Sequence, residues 1–306
     1  MRRFCWGFLL AAVFCPLSAM AEEVDQGLQT LWEVLWHQSG TPTRTVRWEG
    51  DVRVRMFGIN VAAHREHTME ALRAVSSEAG VKLTDVTGTP EESAANVTIE
   101  IVADNQLEDV QPCVTILDFK TETRIDSASM QMRSRDAWRC AYHEAMHIMG
   151  VRGHPGGQTV LSYFPTRVDA LMPLDKVMLR AWYSPRMAGG MTPFEALPIL
   201  TDEYIATLPD RAAATQARDA FFAKIIDKMQ AYAAGQGDIP AIVKRSGKAT
   251  PEGIRYGRGE MSYFLGVAYL EGTTTPRDNA QAVRWLERAA TLGNRGAQAK
   301  LGAFKQ

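Results

Sequence analysis

His143-Glu144-Ala145-Met146-His147-Ile148-Met149-Gly150-Val151-Arg152-Gly153-His154-Pro155 is the stretch around which the rest of the sequence arranges itself. It opens with H-E-x-x-H. On a helix, positions i and i+4 share a face, so His143 and His147 can offer imidazole nitrogens to one metal ion. Glu144 stands one position round, placed to hold a water on the metal without binding the metal itself. Gly150 can take a left-handed backbone conformation and end the helix. The chain can then turn and bring His154 back as a third ligand. Three protein ligands with an open fourth position describe a catalytic zinc site and not a structural one.

The pattern resembles the signature of the metzincin metallopeptidases, H-E-x-x-H-x-x-G-x-x-H followed by a methionine-containing turn. His143, Glu144, His147 and Gly150 fit its first fixed positions. The chain departs at the last one: Gly153 stands where the third histidine belongs, and His154 follows one residue late. Downstream, Thr159-Val160-Leu161-Ser162-Tyr163-Phe164-Pro165 looks like the methionine turn, with Leu161 in place of the methionine. Tyr163 matches a tyrosine that some branches swing toward the metal, where it would steady an oxyanion; a core tyrosine is the alternative. Asp169 and Asp175 are substitute ligands should His154 not bind, and Glu195 or Glu203 would serve if a later helix supplied the third ligand.

The resemblance implies an α+β fold, a twisted mixed sheet backed by helices, one of which carries the active site. An exposed edge strand would pair with extended peptide substrate. It also implies Zn2+ as cofactor and Glu144 as general base toward a zinc-activated water.

Bulk properties agree with an ordinary globular protein. With 46% hydrophobic and 23% charged residues the chain is not of disordered composition. A formal net charge of −1 leaves no basic surplus for nucleic acid. Residues 1–21 read as a cleavable signal peptide. Arg2 and Arg3 precede an apolar run from Phe8 to Phe14, and Ala19-Met20-Ala21 is a small-x-small site, so cleavage is expected after Ala21. Loss of the two arginines changes the balance from 34 − 35 to 32 − 35, a net charge of −3. The apolar run is too short to remain in a membrane, and no other stretch reads as a span. Export to a periplasm or beyond follows, in a bacterial cell. Cys113 and Cys140 remain after cleavage, and in an oxidising compartment a bridge between them is the favoured reading over two buried thiols. It would tie a strand to the metal-binding helix one turn before His143.

Taken in order, Glu22 to Trp36 has the apolar spacing of a helix, with Leu28, Leu31, Trp32 and Leu35 on one face. Thr41 to Trp48 reads as a connector. Strands are predicted at 52–57, 81–86, 96–102, 114–119 and 125–132, and a helix at 64–79 closed by Gly80. Asp136 is expected to cap the metal-binding helix. His64 and His67 could face one metal but read more simply as solvated residues at a helix start, and His37 as a surface residue. Helices are predicted at 174–183, at 192–208 with a Thr192/Glu195 capping box, and at 210–234. Residues 235–250 read as a linker.

Beyond it, Leu265-Gly266-Val267-Ala268-Tyr269-Leu270-Glu271-Gly272, then Asp278, then Ala282-Val283-Arg284-Trp285-Leu286-Glu287-Arg288-Ala289-Ala290 resemble a Sel1-type repeat, a relative of tetratricopeptide helix pairs. Leu301-Gly302 restarts the pattern. Tyr269, Trp285 and Leu286 would fill the seam, and a single unit must pack on something else. The expected organisation is signal peptide 1–21, metzincin-like domain 22–190, helical connector and linker 191–246, and Sel1-like repeat 247–306.

Two functions are expected from this. One is an exported zinc metallopeptidase acting on peptide or protein substrate. The other is a non-catalytic scaffold that uses the repeat to bind a protein partner, its metal site structural or degenerate. Neither involves nucleic acid, or a membrane once the signal is removed.

Overall fold

The computed structural model describes residues 15–162 and 168–304. Residues 1–14 of the expected signal peptide, and Tyr163 with its neighbours to 167, lie outside the described residues. The elements are α1 (Cys15–Glu33), β1 (Trp36–His37), β2 (Thr41–Pro42), β3 (Val52–Gly58), α2 (Val61–Ala79), β4 (Leu83–Asp85), β5 (Val97–Val102), β6 (Cys113–Phe119), β7 (Ile125–Arg133), α3 (Ala137–Ile148), α4 (Pro173–Trp182), α5 (Pro193–Ala206), α6 (Arg211–Ala234), α7 (Ala241–Arg245), α8 (Pro251–Glu271), α9 (Asn279–Thr291) and α10 (Arg295–Phe304). Among the described residues no helix is long and apolar enough to cross a membrane.

Five strands form one mixed sheet in the order β4-β3-β5-β7-β6. The first four run parallel, and β6 lies antiparallel to β7 at the edge. Alternation in the sequence sets the two faces. Val52, Val54 and Met56, Val97, Ile99 and Ile101, and Ala128, Met130 and Met132 are all buried. They lie beneath α2 and α3, which pack on each other and on that face. The opposite face is polar, with Gln131 Nε2 donating to Glu100 Oε2 at 2.7 Å.

The region expected to be a connector is pinned at several points. Trp48 Nε1 donates to the Ile148 carbonyl at 2.8 Å, and Tyr183 Oη donates to that of Met149 at 3.0 Å. Both satisfy carbonyls that the end of α3 leaves without helical partners. Trp182 Nε1 donates to the Val46 carbonyl at 2.8 Å. Asp136 stands at the N-cap of α3 without a side-chain cap bond. Its carboxylate is taken instead by Arg133 at 2.7 Å and Arg139 at 3.0 Å, so charge pairing displaces the expected cap.

The N-terminal helix belongs to the core. Leu28, Leu31, Trp32, Leu35 and Trp36 are buried. Trp32 meets Phe194 of α5 at 5.4 Å and Trp36 meets Tyr232 of α6 at 6.4 Å between ring centroids. The capping box at α5 forms in both directions, Thr192 N to Glu195 Oε2 at 2.5 Å and Glu195 N to Thr192 Oγ1 at 3.3 Å. Residues 235–250 carry α7, whose Ile242 and Val243 are buried.

The chain ends in a helical repeat region. Helices α8 and α9 pack closely because Gly266 has no side chain: a Cβ there would lie 2.8 Å from Leu286 Cγ. Leu286 is fully buried. Tyr269 turns away from that seam and is bonded by Gln230 Nε2 of α6 at 2.5 Å. Helix α8 also packs on α5, α6 and β2. Arg44 Nη2 donates to Tyr263 Oη at 2.8 Å, tying the repeat to the N-terminal segment.

Candidate metal centre and cleft

The site starts from α3. His143 and His147 lie one turn apart, and their rings meet edge-on with centroids 4.7 Å apart. Gly150 has φ 87° and ends the helix, its N–H bonded to the His147 carbonyl at 2.9 Å. The left-handed conformation and the Val46 carbonyl, 2.3 Å from any added Cβ, both require glycine there. The chain then runs against the backbone of the N-terminal segment. At Gly153 a Cβ would lie 2.6 Å from the Val34 carbonyl oxygen and 2.7 Å from that of Trp36. His154, the next residue, turns its ring back to the helix.

The three imidazoles converge on one point. Nε2 of His143 is 3.1 Å from Nε2 of His147 and 3.1 Å from Nε2 of His154. Nε2 of His147 is 2.9 Å from Nε2 of His154. Between His143 and His147 this is not a hydrogen bond in the ordinary sense. His143 Nδ1 is 2.8 Å from the Val160 carbonyl and His147 Nδ1 is 2.6 Å from the Val151 carbonyl. A carbonyl only accepts, so both Nδ1 atoms carry the proton and both Nε2 atoms present lone pairs.

Burial holds the rings neutral: it lowers the pKa of His143 to about 4 and that of His154 to about 3, and lowers that of His147 well below the usual range. Lone pairs facing each other at this distance repel unless a cation lies between them. A tetrahedral zinc with Zn–N of about 2.0–2.1 Å spaces its nitrogens by about 3.3 Å, close to what is seen. The cluster His143, His147 and His154 could hold a metal ion.

Glu144 completes the arrangement. It is 3% exposed and its Oε2 has no hydrogen-bond partner. Burial pushes its carboxyl up to about 7. An orphaned carboxylate oxygen beside three convergent imidazoles is what a metal site with an open water position would contain. All four side chains line one cleft of about 270 Å³. The edge strand β6 forms its opposite wall through residues including Thr115 and Leu117. The disulfide Cys113–Cys140, with Cα atoms 6.1 Å apart, ties that wall to α3.

Of the substitute ligands, none joins the cluster. Asp175 is fully buried and works behind it: it accepts from Thr159 Oγ1, from Val160 N at 3.2 Å and from Met172 N at 2.8 Å. It thereby fixes the turn whose Val160 carbonyl orients His143. Asp169 accepts from Trp138 Nε1 at 2.7 Å. Glu195 serves the α5 cap, and Glu203 pairs with Arg180 at 2.8 Å. Leu161 is buried and lines a second cavity that shares His154. Tyr163 lies outside the described residues. His67, expected to be solvated, is buried and stacks on Trp138 with ring centroids 3.9 Å apart, while His64 Nε2 is 2.9 Å from Ser134 Oγ.

Three residues in or behind the cleft were not expected from the sequence. His37 lines both cavities, and burial first, then the Arg152 charge, lowers its pKa to about 4. Glu33 of α1 accepts from Gly156 N at 2.6 Å and pairs with Arg245 of α7, which holds the loop after His154 from both sides. Arg152 lines the cleft itself. His37 and Glu33 lie more than a hundred residues upstream of the motif, and no local pattern marks them. Arg152 lay inside the motif, but its spacing assigns it no role.

A family model described as a protein of unknown function (DUF2927) matches residues 18–151, and a Sel1 repeat model matches residues 260–294. The first span contains His143, Glu144, His147 and Gly150 and stops short of His154. The second covers the later part of α8 and all of α9. Neither match is to a metzincin family. No curated protein matches the chain.

Proposed function

We propose that the protein is an exported zinc metallopeptidase, with His143, His147 and His154 as metal ligands and Glu144 as general base. The observation that carries this reading is the convergence of three Nε2 atoms beside a buried carboxylate whose Oε2 has no partner, in an open cleft. An all-imidazole donor set without sulfur suits zinc among the common divalent ions. When bound, zinc supplies Lewis-acid chemistry there, acidifying a water and polarising a carbonyl.

The chain's own groups do the rest. Val160 and Val151 carbonyls hold the Nδ1 protons and so keep both helix histidines turned inward. Glu144 accepts the proton of the attacking water at Oε2 and passes it to the leaving amine nitrogen. Strand β6 is the sheet edge along the cleft and can add an extended peptide as a further antiparallel strand. Its position as the one strand of the described five-stranded sheet that runs antiparallel to its neighbour, bordering a helix with H-E-x-x-H, supports a zincin-type architecture. The disulfide supports an oxidising compartment, in agreement with a leader cleaved after Ala21.

Incubation of the zinc-loaded protein with a mixed peptide library, followed by mass spectrometry, tests this. Cleavage is expected, and Glu144→Gln is expected to abolish it while zinc stays at one per chain. Zinc binding without any cleavage would favour the second reading, a scaffold. That reading rests on the Sel1 match, since such repeats generally bind proteins, and the outer faces of α9 and α10 would be the surface offered to a partner.

A further inference from the structure

The cleft holds a charge that the described residues leave uncompensated. Arg152 lines it together with Glu144 and the three imidazoles. Its Nη2 donates to Thr43 Oγ1 at 2.6 Å and to the Arg44 carbonyl at 2.9 Å. The Phe119 ring backs the guanidinium, 5.9 Å from its carbon to the ring centroid. Among the described residues Arg152 has no carboxylate partner, and its Nε and Nη1 donate to none of them. As a guanidinium it is charged at neutral pH. The neighbouring Arg245 is different, because Glu33 neutralises it.

A desolvated guanidinium without an anion is costly, and folds normally pair it. Here one face is on Phe119 and one nitrogen is held by the chain. The remaining Nε–H and Nη1–H lie on opposite sides of the guanidinium, and each can give a carboxylate a single charge-assisted bond. His37 lies along the same wall. Its Nδ1 accepts from Ser39 N at 3.1 Å, so its neutral ring carries the proton on Nε2, a further donor.

We propose that Arg152 is the specificity-determining residue of the cleft and receives a carboxylate of the substrate close to the bond that is cut. The substrate class is therefore an acidic peptide, its carboxylate either the C-terminal one or that of a Glu or Asp side chain. This inference rests on the peptidase reading for what the cleft acts on.

The test is calorimetric binding to zinc-loaded Glu144→Gln protein, in which cleavage is off. One probe pair is a peptide with a free C-terminal carboxylate against the same peptide as its carboxamide. The second pair is amide-capped and carries an internal Glu or Gln. The acidic member of one pair is expected to bind at least about 30-fold tighter, and the pair that discriminates identifies the carboxylate's source. Arg152→Gln should reduce the ratio to within about threefold, and Arg152→Lys, which keeps a charge without the planar array of donors, should leave an intermediate ratio.

Zinc content and thermal unfolding of each variant check that the loop is intact. Equal binding of acid and neutral members, absence of binding by all four peptides, or discrimination that survives in Arg152→Gln each overturns the proposal. Cleavage by the wild-type protein with no acid preference would sink this inference and leave the peptidase standing. Acid preference in binding with no cleavage of any of the four would do the reverse.

Discussion

At Gly153 the backbone of Val34 and Trp36 comes so close that no side chain fits. That contact accounts for the late third histidine: a ring at 153 would strike the N-terminal segment, whereas His154 clears it. Gly153→Ala is therefore expected to cost roughly 1–3 kcal/mol of stability and to weaken zinc binding, as read by thermal unfolding and competition with a chelator. Asp175 is the second residue that positions without binding. Asp175→Asn loosens the Val160 turn and is expected to weaken metal affinity about 10–100-fold, the usual effect of losing an outer-sphere support.

The imidazoles also fix a pH response of the metal-free protein. Their folded pKa values lie below the unfolded 6.5, at about 4 for His143 and about 3 for His154. The unfolded chain thus binds more protons between those values and 6.5, so stability is lost as pH falls through that window. Each imidazole contributes a slope of about 1.4 kcal/mol per pH unit there. Denaturant titrations of wild type and His143→Gln between pH 4.5 and 7 measure it, and equal slopes would show the ring is not buried neutral.

Elements separate what was legible in the sequence from what was not. The i, i+4 pair on α3 and the glycine that ends it were legible because both are local. So were the five strands and α2: in α2, β3, β5 and β7 the apolar spacing matches the face that became buried, while the edge strands β4 and β6 have no fully buried residue. The N-terminal helix was legible as a helix, but its role in holding the loop after His154 through Glu33 was not, because Gly156 is distant in sequence. The 235–250 segment read as a linker from its glycines and lysines. Its Ile242 and Val243 decide otherwise locally by packing into the core as α7.

The disulfide belongs to this scale. It closes a separation of 27 residues between the cleft's edge strand and its metal helix. The paired Cys113→Ser and Cys140→Ser variant is expected to lose about 3–4 kcal/mol by the loop-entropy account. Denaturant unfolding of the two forms would show it, and an unchanged midpoint would mean that the bridge constrains nothing.

Across the whole molecule, the metal centre is assembled from distant parts of the chain. The ligands come from α3 and its following loop, the loop is clamped by α1 and α7, and α1 in turn packs on α5 and α6, against which the repeat's α8 lies. The repeat is thus part of the support of the cleft as well as a surface for partners. The N-terminal segment supplies buried tryptophans and part of the wall of the cleft. Calorimetry of the zinc-free protein is expected to give one cooperative transition. A separate transition for residues 247–306 would mean that the repeat is an independent appendage.

Three imidazoles sharing one ion are what the proposed chemistry requires first. X-ray absorption at the zinc edge, on protein loaded with one equivalent of zinc, reads them directly. The expected spectrum has three imidazole nitrogens at about 2.0–2.1 Å with one oxygen, and His154→Ala should leave two nitrogens. A wild-type spectrum with only two imidazoles, or one that His154→Ala does not alter, would contradict it.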